Sequence, residues 1–174
     1  MVLPFLPNKR NADDDPWIVF DYEIQMYFET RNLLRHLSLN KPNDVINTIT
    51  KNATVESLLL HTRIVTDILI SKGSEKDDIV LKNLLPEWCN SESGKTLIDK
   101  LKTAYGKRDE ENSPCWIINK MLAHPTRWRT DRFDYSKPLN KIEPLIFDVL
   151  SKIEKVTHRP QLDYYIMAIK SKEE

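Results

Sequence analysis

One short stretch of the chain combines residue types that could act on a phosphodiester. In INKMLAHPTRWR, an apolar run ends at His124, Pro125 follows, and Arg127 and Arg129 come directly after. An imidazole can transfer a proton near neutral pH, and guanidinium groups can hold a phosphate. The unpaired carbonyls at a helix end favour a protonated histidine there. The stretch therefore predicts a phosphodiester site, with a solvated, salt-bridged loop as the structural alternative.

A second polar group lies within an earlier apolar segment, LLLHTRIVTDILI. Arg63 can pair with Asp67, which is four residues later and on the same helical face. Alternatively, Glu56, His61 and Arg63 together hold or orient a polar site that faces the helix leading to His124. The sequence leaves both interpretations open.

Several common kinds of site are disfavoured. Ser93-Gly94-Lys95-Thr96 resembles the end of a phosphate-binding P-loop, but Cys89 stands where the leading glycine is needed and no strand precedes it. The four histidines are scattered, without the spacing that puts two imidazoles on one helical face. No nucleophile elbow is present either. We therefore expect no metal and no cofactor.

Composition indicates one soluble domain. The 174 residues are 40% hydrophobic and 30% charged, and the formal net charge is +0. A nucleic acid or an anionic membrane would therefore have to be held by a local patch. No apolar run approaches the ~20 residues that span a bilayer, and MVLPFLPNKR lacks the features of a signal peptide. Two isolated cysteines, Cys89 and Cys115, suit a reducing compartment. We expect a cytoplasmic protein.

Helical periodicity dominates the long segments, and only three glycines are available for turns. We predict an all-α fold, a single-domain up-and-down bundle of four to five main helices at about 16–37, 44–72, 93–105, 114–124 and 138–156. The bundle takes in residues 15–156. An irregular arm precedes it at 1–14, and a short helix or frayed tail follows at 157–174.

Local signals set the expected helix ends and faces. Asp15 and Pro16 are typical of a helix start, Gly106 of a helix end, and Pro144 should bend the last long helix. Arg31 falls on the apolar stripe of the first helix, which is unexpected for an arginine. Helix two could break near Asn52, and one face of it is apolar: Ile46, Ile49, Ala53, Leu60, Ile64 and Ile68.

Two motifs resemble a known family. One is formed by Glu56, Leu59, His61, Arg63 and Asp67, and the other by Asn119, Lys120, Ala123, His124, Thr126 and Arg129. In order and separation they are similar to the motifs of prokaryotic HEPN-like helical domains, in the abortive-infection-related and largely uncharacterised branch. The likeness covers roughly residues 17–155.

The resemblance implies a bundle of four or five helices that is often a homodimer. Active members of the wider superfamily are metal-independent endoribonucleases with an R-x4-6-H motif. By position, His124 would be the catalytic histidine, while Asn119 stands where active nucleases have arginine. Arg127 or Arg129 could then supply the cation. Other relatives bind RNA or nucleotide, or act as non-catalytic partners of a toxin pair.

The leading hypothesis is an RNA-cleaving or RNA-binding component of a prokaryotic defence or toxin–antitoxin system. Its catalytic group would be His124 with Asn119, Arg127 and Arg129, supported by a polar cluster of Glu56, His61, Arg63 and Lys120. Homodimerisation, RNA and a cognate toxin or antitoxin are the expected partners, with no membrane. The alternative is a non-catalytic helical interaction or scaffold protein.

Overall fold

A computed structural model describes residues 15–39, 45–73, 78–123 and 134–159, together with Leu162 and Ile166. Every regular element in this part of the chain is an α-helix. The seven helices are α1 (Trp17–Leu39), α2 (Val45–Ile70), α3 (Leu81–Leu84), α4 (Pro86–Asn90), α5 (Glu92–Tyr105), α6 (Pro114–Ala123) and α7 (Ser136–Thr157). The predicted helical class is confirmed, with five helices of ten or more residues and two short ones.

Helix α1 begins where the sequence predicts. The backbone N–H of Trp17 donates to Asp15 Oδ1 at 3.0 Å, so a side chain satisfies one of the first free amides. Its inner stripe is buried as expected, at Phe20, Ile24, Tyr27 and Leu34. The five-residue connection to α2 joins two antiparallel neighbours, and this α1–α2 hairpin is the most extensive helix pair of the fold.

Helix α2 is continuous from Val45 to Ile70, which answers the question that the sequence left open at Asn52. Its predicted apolar face is wrong over most of its length, because Ile46, Ile49 and Leu60 are 75%, 63% and 42% exposed. The core takes a different set of side chains, among them Leu58, Leu59, Thr62, Val65, Thr66 and Leu69. Both sides of this helix carry apolar residues, and α1 packs against the second set. Periodicity alone could not choose between them.

Two short helices, α3 and α4, lie between α2 and α5. Ser91 caps α5 by accepting the Gly94 N–H at its Oγ, at 3.1 Å. Gly94 thus lies in the first turn of a helix, against the backbone of Trp88. The sequence Ser93–Thr96, which resembles the end of a P-loop, is therefore part of the start of α5 and not a loop. Gly106 ends α5 with a φ of 74°, as predicted.

Helices α6 and α7 complete the core. Ser113 Oγ accepts the Trp116 N–H at 3.1 Å and so caps α6. Helix α7 includes Pro144 and supplies the most deeply buried stripe: Ile142, Ile146, Val149, Leu150 and Ile153, each 0% exposed. Leu162 and Ile166 are helical and buried beyond it. Within the described ranges no helix has the length and apolar content needed to cross a bilayer. The predicted arm, 1–14, lies outside the described residues.

Candidate functional site at the α2–α5–α6 junction

The residues predicted to carry the chemistry, apart from Asn119, follow α6 in the sequence. The helix is described as far as Ala123, which directly precedes His124 in the chain. His124, Arg127 and Arg129 are outside the described residues. The structure therefore describes the helix that precedes these residues in the chain, together with the polar residues of α2, α5 and α6.

Asn119 and Lys120 lie on α6 and are both half-buried. The Asn119 amide donates to the Cys115 carbonyl at 2.7 Å, one turn earlier in the same helix. The Lys120 ammonium lies over the Trp116 ring, 5.4 Å from its centre. Asn119 is thus held by its own helix, and Lys120 stays near an aromatic surface that attracts cations.

A polar cluster forms where α2, α5 and α6 meet, and we call it the α2–α5–α6 junction. Arg63 Nε lies 3.7 Å from Asp67 Oδ2, one turn further along α2. Burial raises the pKa of Asp67, although Arg63 and Arg108 both act to lower it. Arg63 thus pairs with Asp67, as the helical spacing predicts, and Arg108 acts electrostatically on the same carboxylate. Arg108 was not identified from the sequence, because it belongs to a charged turn that resembles ordinary surface.

A buried phenol lies near Arg63 and Asp67. Tyr105 is 2% exposed, and its hydroxyl has no hydrogen-bond partner among the described residues. The Cys115 thiol is close enough to interact electrostatically, but sulfur is a weak hydrogen-bond acceptor. Burial raises the pKa of Tyr105 far above its ordinary value, and the negative charge of Asp67 adds to the effect. Burial also raises the pKa of Cys115, so this thiol is unsuited to be a nucleophile.

A cavity of about 390 Å³ opens beside the junction. Its polar lining comes from Arg63, Asp67, Ser71 and Asp78. The apolar lining comes from α2 and from the segment before α3: Leu60, Ile64, Ile68, Ile79 and Val80. The cavity presents hydrogen-bond donors and acceptors above an aliphatic floor, but no group with the reactivity of a nucleophile.

His61 lies on the other side of α2 from Arg63. Its Nδ1 is 2.7 Å from Glu23 Oε2 of α1, and its ring meets the edge of Tyr22. Residues two apart on a helix point about 200° away from each other, which accounts for the separation. The structure therefore does not bring His61 and Arg63 together in one cluster. Glu56 is exposed on α2.

Arg31 has its partner in α7. The guanidinium bonds Glu143, a residue 8% exposed that no sequence pattern singled out. Another polar pair joins Asp21 of α1 to Arg159, which lies two residues after the end of α7, with the guanidinium 4.6 Å from the centre of the Trp17 ring. These partners are more than a hundred residues apart in sequence. No helical spacing could have found them.

Metal binding finds no support in the described part of the chain, where no three His, Cys, Asp or Glu side chains are grouped to hold an ion.

Comparison with known proteins adds no relative: no protein-family model, no curated protein and no solved structure matches the chain.

Proposed function

We propose that the protein is a HEPN-like, metal-independent component of a prokaryotic defence or toxin–antitoxin system that cleaves or binds RNA in the cytoplasm. The observation that carries the proposal is the Arg63–Asp67 pair near Cys115 of α6, on which Arg108 also acts electrostatically. That helix leads directly into His124 and the arginines that follow it. Arg63 and Arg108 would then bind the same RNA as the arginines that follow His124.

The exposure of the junction arginines supports this choice. Arg63 is about a quarter exposed at its side chain and Arg108 is exposed, so both guanidinium groups can reach a ligand even though Asp67 and Asp78 balance their charge. Guanidinium groups bind phosphate through paired, directional hydrogen bonds. Because the chain as a whole carries no net charge, it would bind an RNA backbone through this junction and not through a general attraction.

In the proposed reaction, His124 accepts the proton of a ribose 2′-hydroxyl as its oxygen attacks the adjacent phosphorus. The P–O5′ bond breaks, and the leaving oxygen takes up a proton. Arg127 or Arg129 stabilises the charge that develops on the non-bridging oxygens. Asn119, where active relatives of the wider superfamily have arginine, limits the rate by leaving that charge with one cation fewer.

Incubation of the purified protein with structured RNA in the presence of a chelator tests the proposal. We expect metal-independent cleavage or retention of RNA that is lost in His124→Ala and weakened in Arg127→Ala and Arg129→Ala. His158→Ala is the matched control, because His158 is an exposed histidine at the end of another helix. RNA that stays intact and unbound with the wild-type protein would remove both forms of the proposal.

The second candidate is a non-catalytic helical scaffold that binds a cognate protein partner. The long-range polar pairs favour it, since Glu23–His61, Arg31–Glu143 and Asp21–Arg159 all fix α1 against its neighbours. Melting temperature separates the candidates. A His124→Ala protein that handles RNA like the wild type but melts several degrees lower would assign His124 to the scaffold.

Self-association belongs to the proposal as well. We expect a homodimer, as in many HEPN-like proteins, and sedimentation velocity at several concentrations measures it. A monomer at all concentrations would require each chain to carry the whole site.

A further inference from the structure

The outer face of α2 is apolar and uncovered. Val45, Ile46 and Ile49 are 74%, 75% and 63% exposed, and Leu60 is 42% exposed. Ala53, between them, is exposed too. Single exposed apolar residues are ordinary, but these recur at three-, four- and seven-residue steps along one helix. We call Ile46, Ile49, Ala53 and Leu60 the outer stripe.

The outer stripe lies opposite the core. At 100° per residue its members point within about 60° of one another, while Leu58, Val65 and Leu69 point roughly the other way. Further along the same face, Ile64 and Ile68 are covered, and Ile79 and Val80 line the same cavity with them. The face is therefore closed at its C-terminal end by the chain itself and open over its first half.

The size of the outer stripe limits what can cover it. From Ile46 to Leu60 it is about 21 Å long, and a helix is about 10 Å wide, which gives roughly 200 Å². A stable protein–protein interface buries about 800 Å² on each partner. A second copy docked here alone would bury too little. A single extended segment of five or six residues, about 16–20 Å long, matches the stripe.

The geometry points to residues 2–6 of this chain as that segment. Val2, Leu3, Phe5 and Leu6 are apolar, and the first charged side chain is Lys9. Pro4 and Pro7 favour an extended backbone and lack an N–H that would otherwise need a partner. Such a segment can lie on a helix and bury side chains without adding secondary structure.

The chain is long enough to reach. The Glu23–His61 contact sets α1 and α2 side by side, so that Asp15 lies about 14 Å along the axis from the level of Leu60 and about 35 Å from that of Ile46. Nine extended residues from Asp15 to Leu6 span about 30 Å, and thirteen to Val2 span about 43 Å. The segment would run along α2 toward Val45, with about 10 Å to spare for passing around the helix.

Amide hydrogen exchange in the full-length chain tests the inference. A triple variant, Leu3→Asp with Phe5→Asp and Leu6→Asp, leaves α2 unaltered and removes the apolar contacts. We expect amides 45–53 to exchange about tenfold faster in this variant, because a covered first half of α2 opens less often. Exchange in α5 should not change.

The matched control places three aspartates in the polar part of the same arm: Asn8→Asp, Lys9→Asp and Asn11→Asp. It should leave the exchange of amides 45–53 at the wild-type rate. Equal exchange in all three proteins would overturn the inference. So would protection that rises with protein concentration, since a second copy would then cover the stripe. Neither result depends on whether the protein acts on RNA.

Discussion

Arg31 of α1 binds Glu143 of α7 through two hydrogen bonds, Nε to Oε1 at 3.0 Å and Nη2 to Oε2 at 3.3 Å. The Tyr27 hydroxyl donates to the same Oε1 at 2.9 Å. Burial and the negative Glu143 hold the pKa of Tyr27 well above its ordinary value, so the phenol remains a donor. One carboxylate thus takes three hydrogen bonds and fixes the first long helix to the last.

Replacing that carboxylate should destabilise the bundle. Glu143→Gln keeps one acceptor but removes the carboxylate charge that the half-buried Arg31 guanidinium and the Tyr27 hydroxyl share, and we expect a loss of about 3 kcal/mol in the free energy of unfolding. Urea denaturation followed by circular dichroism measures it. Asp148→Asn, an exposed carboxylate on the same helix, is the control and should change stability little. A Glu143→Gln protein as stable as that control would contradict the role assigned to the pair.

Two tyrosines should respond in opposite directions to the same change. Tyr27→Phe removes a buried hydrogen bond and should lower the free energy of unfolding by about 1 kcal/mol. Tyr105→Phe removes a buried hydroxyl that has no hydrogen-bond partner among the described residues, and should raise it by about 1 kcal/mol. The two variants lose the same atom from equally buried rings, so each controls for the other. Losses of similar size in both would mean that the Tyr105 hydroxyl is satisfied.

Local signals predicted local structure well. Asp15 marks the start of α1 through a contact two residues away, and Gly106 ends α5 through its own positive φ, so both can be inferred from residue type and spacing. The inner stripe of α1 followed from periodicity for the same reason. The buried face of α2 did not, because that helix is apolar on two opposite sides. Which side faces the core depends on α1, and no short window of sequence contains that information.

In the candidate site, too, contacts within one helix could be predicted from the sequence, whereas contacts between distant segments could not. Arg63 and Asp67 were paired from their spacing, whereas Glu143 and Arg108 became visible only when the chain was folded. Grouping His61 with Arg63 overlooked the 200° between them on a helix. The roles of His124, Arg127 and Arg129 stay predictions, since these residues lie outside the described part of the chain.

Gly94 should be intolerant of a side chain, even though alanine favours helices. A Cβ at this position would clash with the Trp88 carbonyl oxygen and lie 2.9 Å from the Trp88 carbonyl carbon. Backbone cannot yield as a flexible side chain does, so Gly94→Ala should lower the free energy of unfolding by about 2 kcal/mol. Chemical denaturation measures it, with Ser93→Ala as the control in the same turn. A stabilised Gly94→Ala protein would show that α4 and α5 can separate without cost.

Asp67 should make stability depend on pH in a defined direction. Burial is the largest cause of its shift and raises its pKa above the usual value near 3.8, so its ionisation is harder in the folded state. The neutral form therefore contributes stability below that value, and the contribution is lost as pH rises through the folded pKa. The stability of the wild type relative to Asp67→Asn should fall across this window.

Thermal denaturation of both proteins between about pH 3 and pH 7 measures that difference. Asp99→Asn, on the exposed side of α5, provides the comparison and should show no such trend. A wild type that gains stability over Asp67→Asn as pH rises would show that Arg63 and Arg108 outweigh burial.

Asn119 offers a gain-of-function test of the proposed chemistry. It occupies the position where active relatives of the wider superfamily have arginine, and its present hydrogen bond only reaches the Cys115 carbonyl in its own helix. Asn119→Arg gives up that bond, at a cost of about 1 kcal/mol, and adds a guanidinium five residues before His124 in the sequence. If His124 transfers the proton, the added cation should stabilise the phosphoryl oxygens and raise the rate of metal-independent RNA cleavage about tenfold.

Asn90→Arg adds the same charge on α4 and should leave the rate unchanged, which separates local stabilisation from general attraction of RNA. The double variant Asn119→Arg with His124→Ala should lose the gain entirely. A faster double variant would assign the effect to tighter RNA binding, and an unchanged Asn119→Arg rate would place this helix position away from the reacting phosphate.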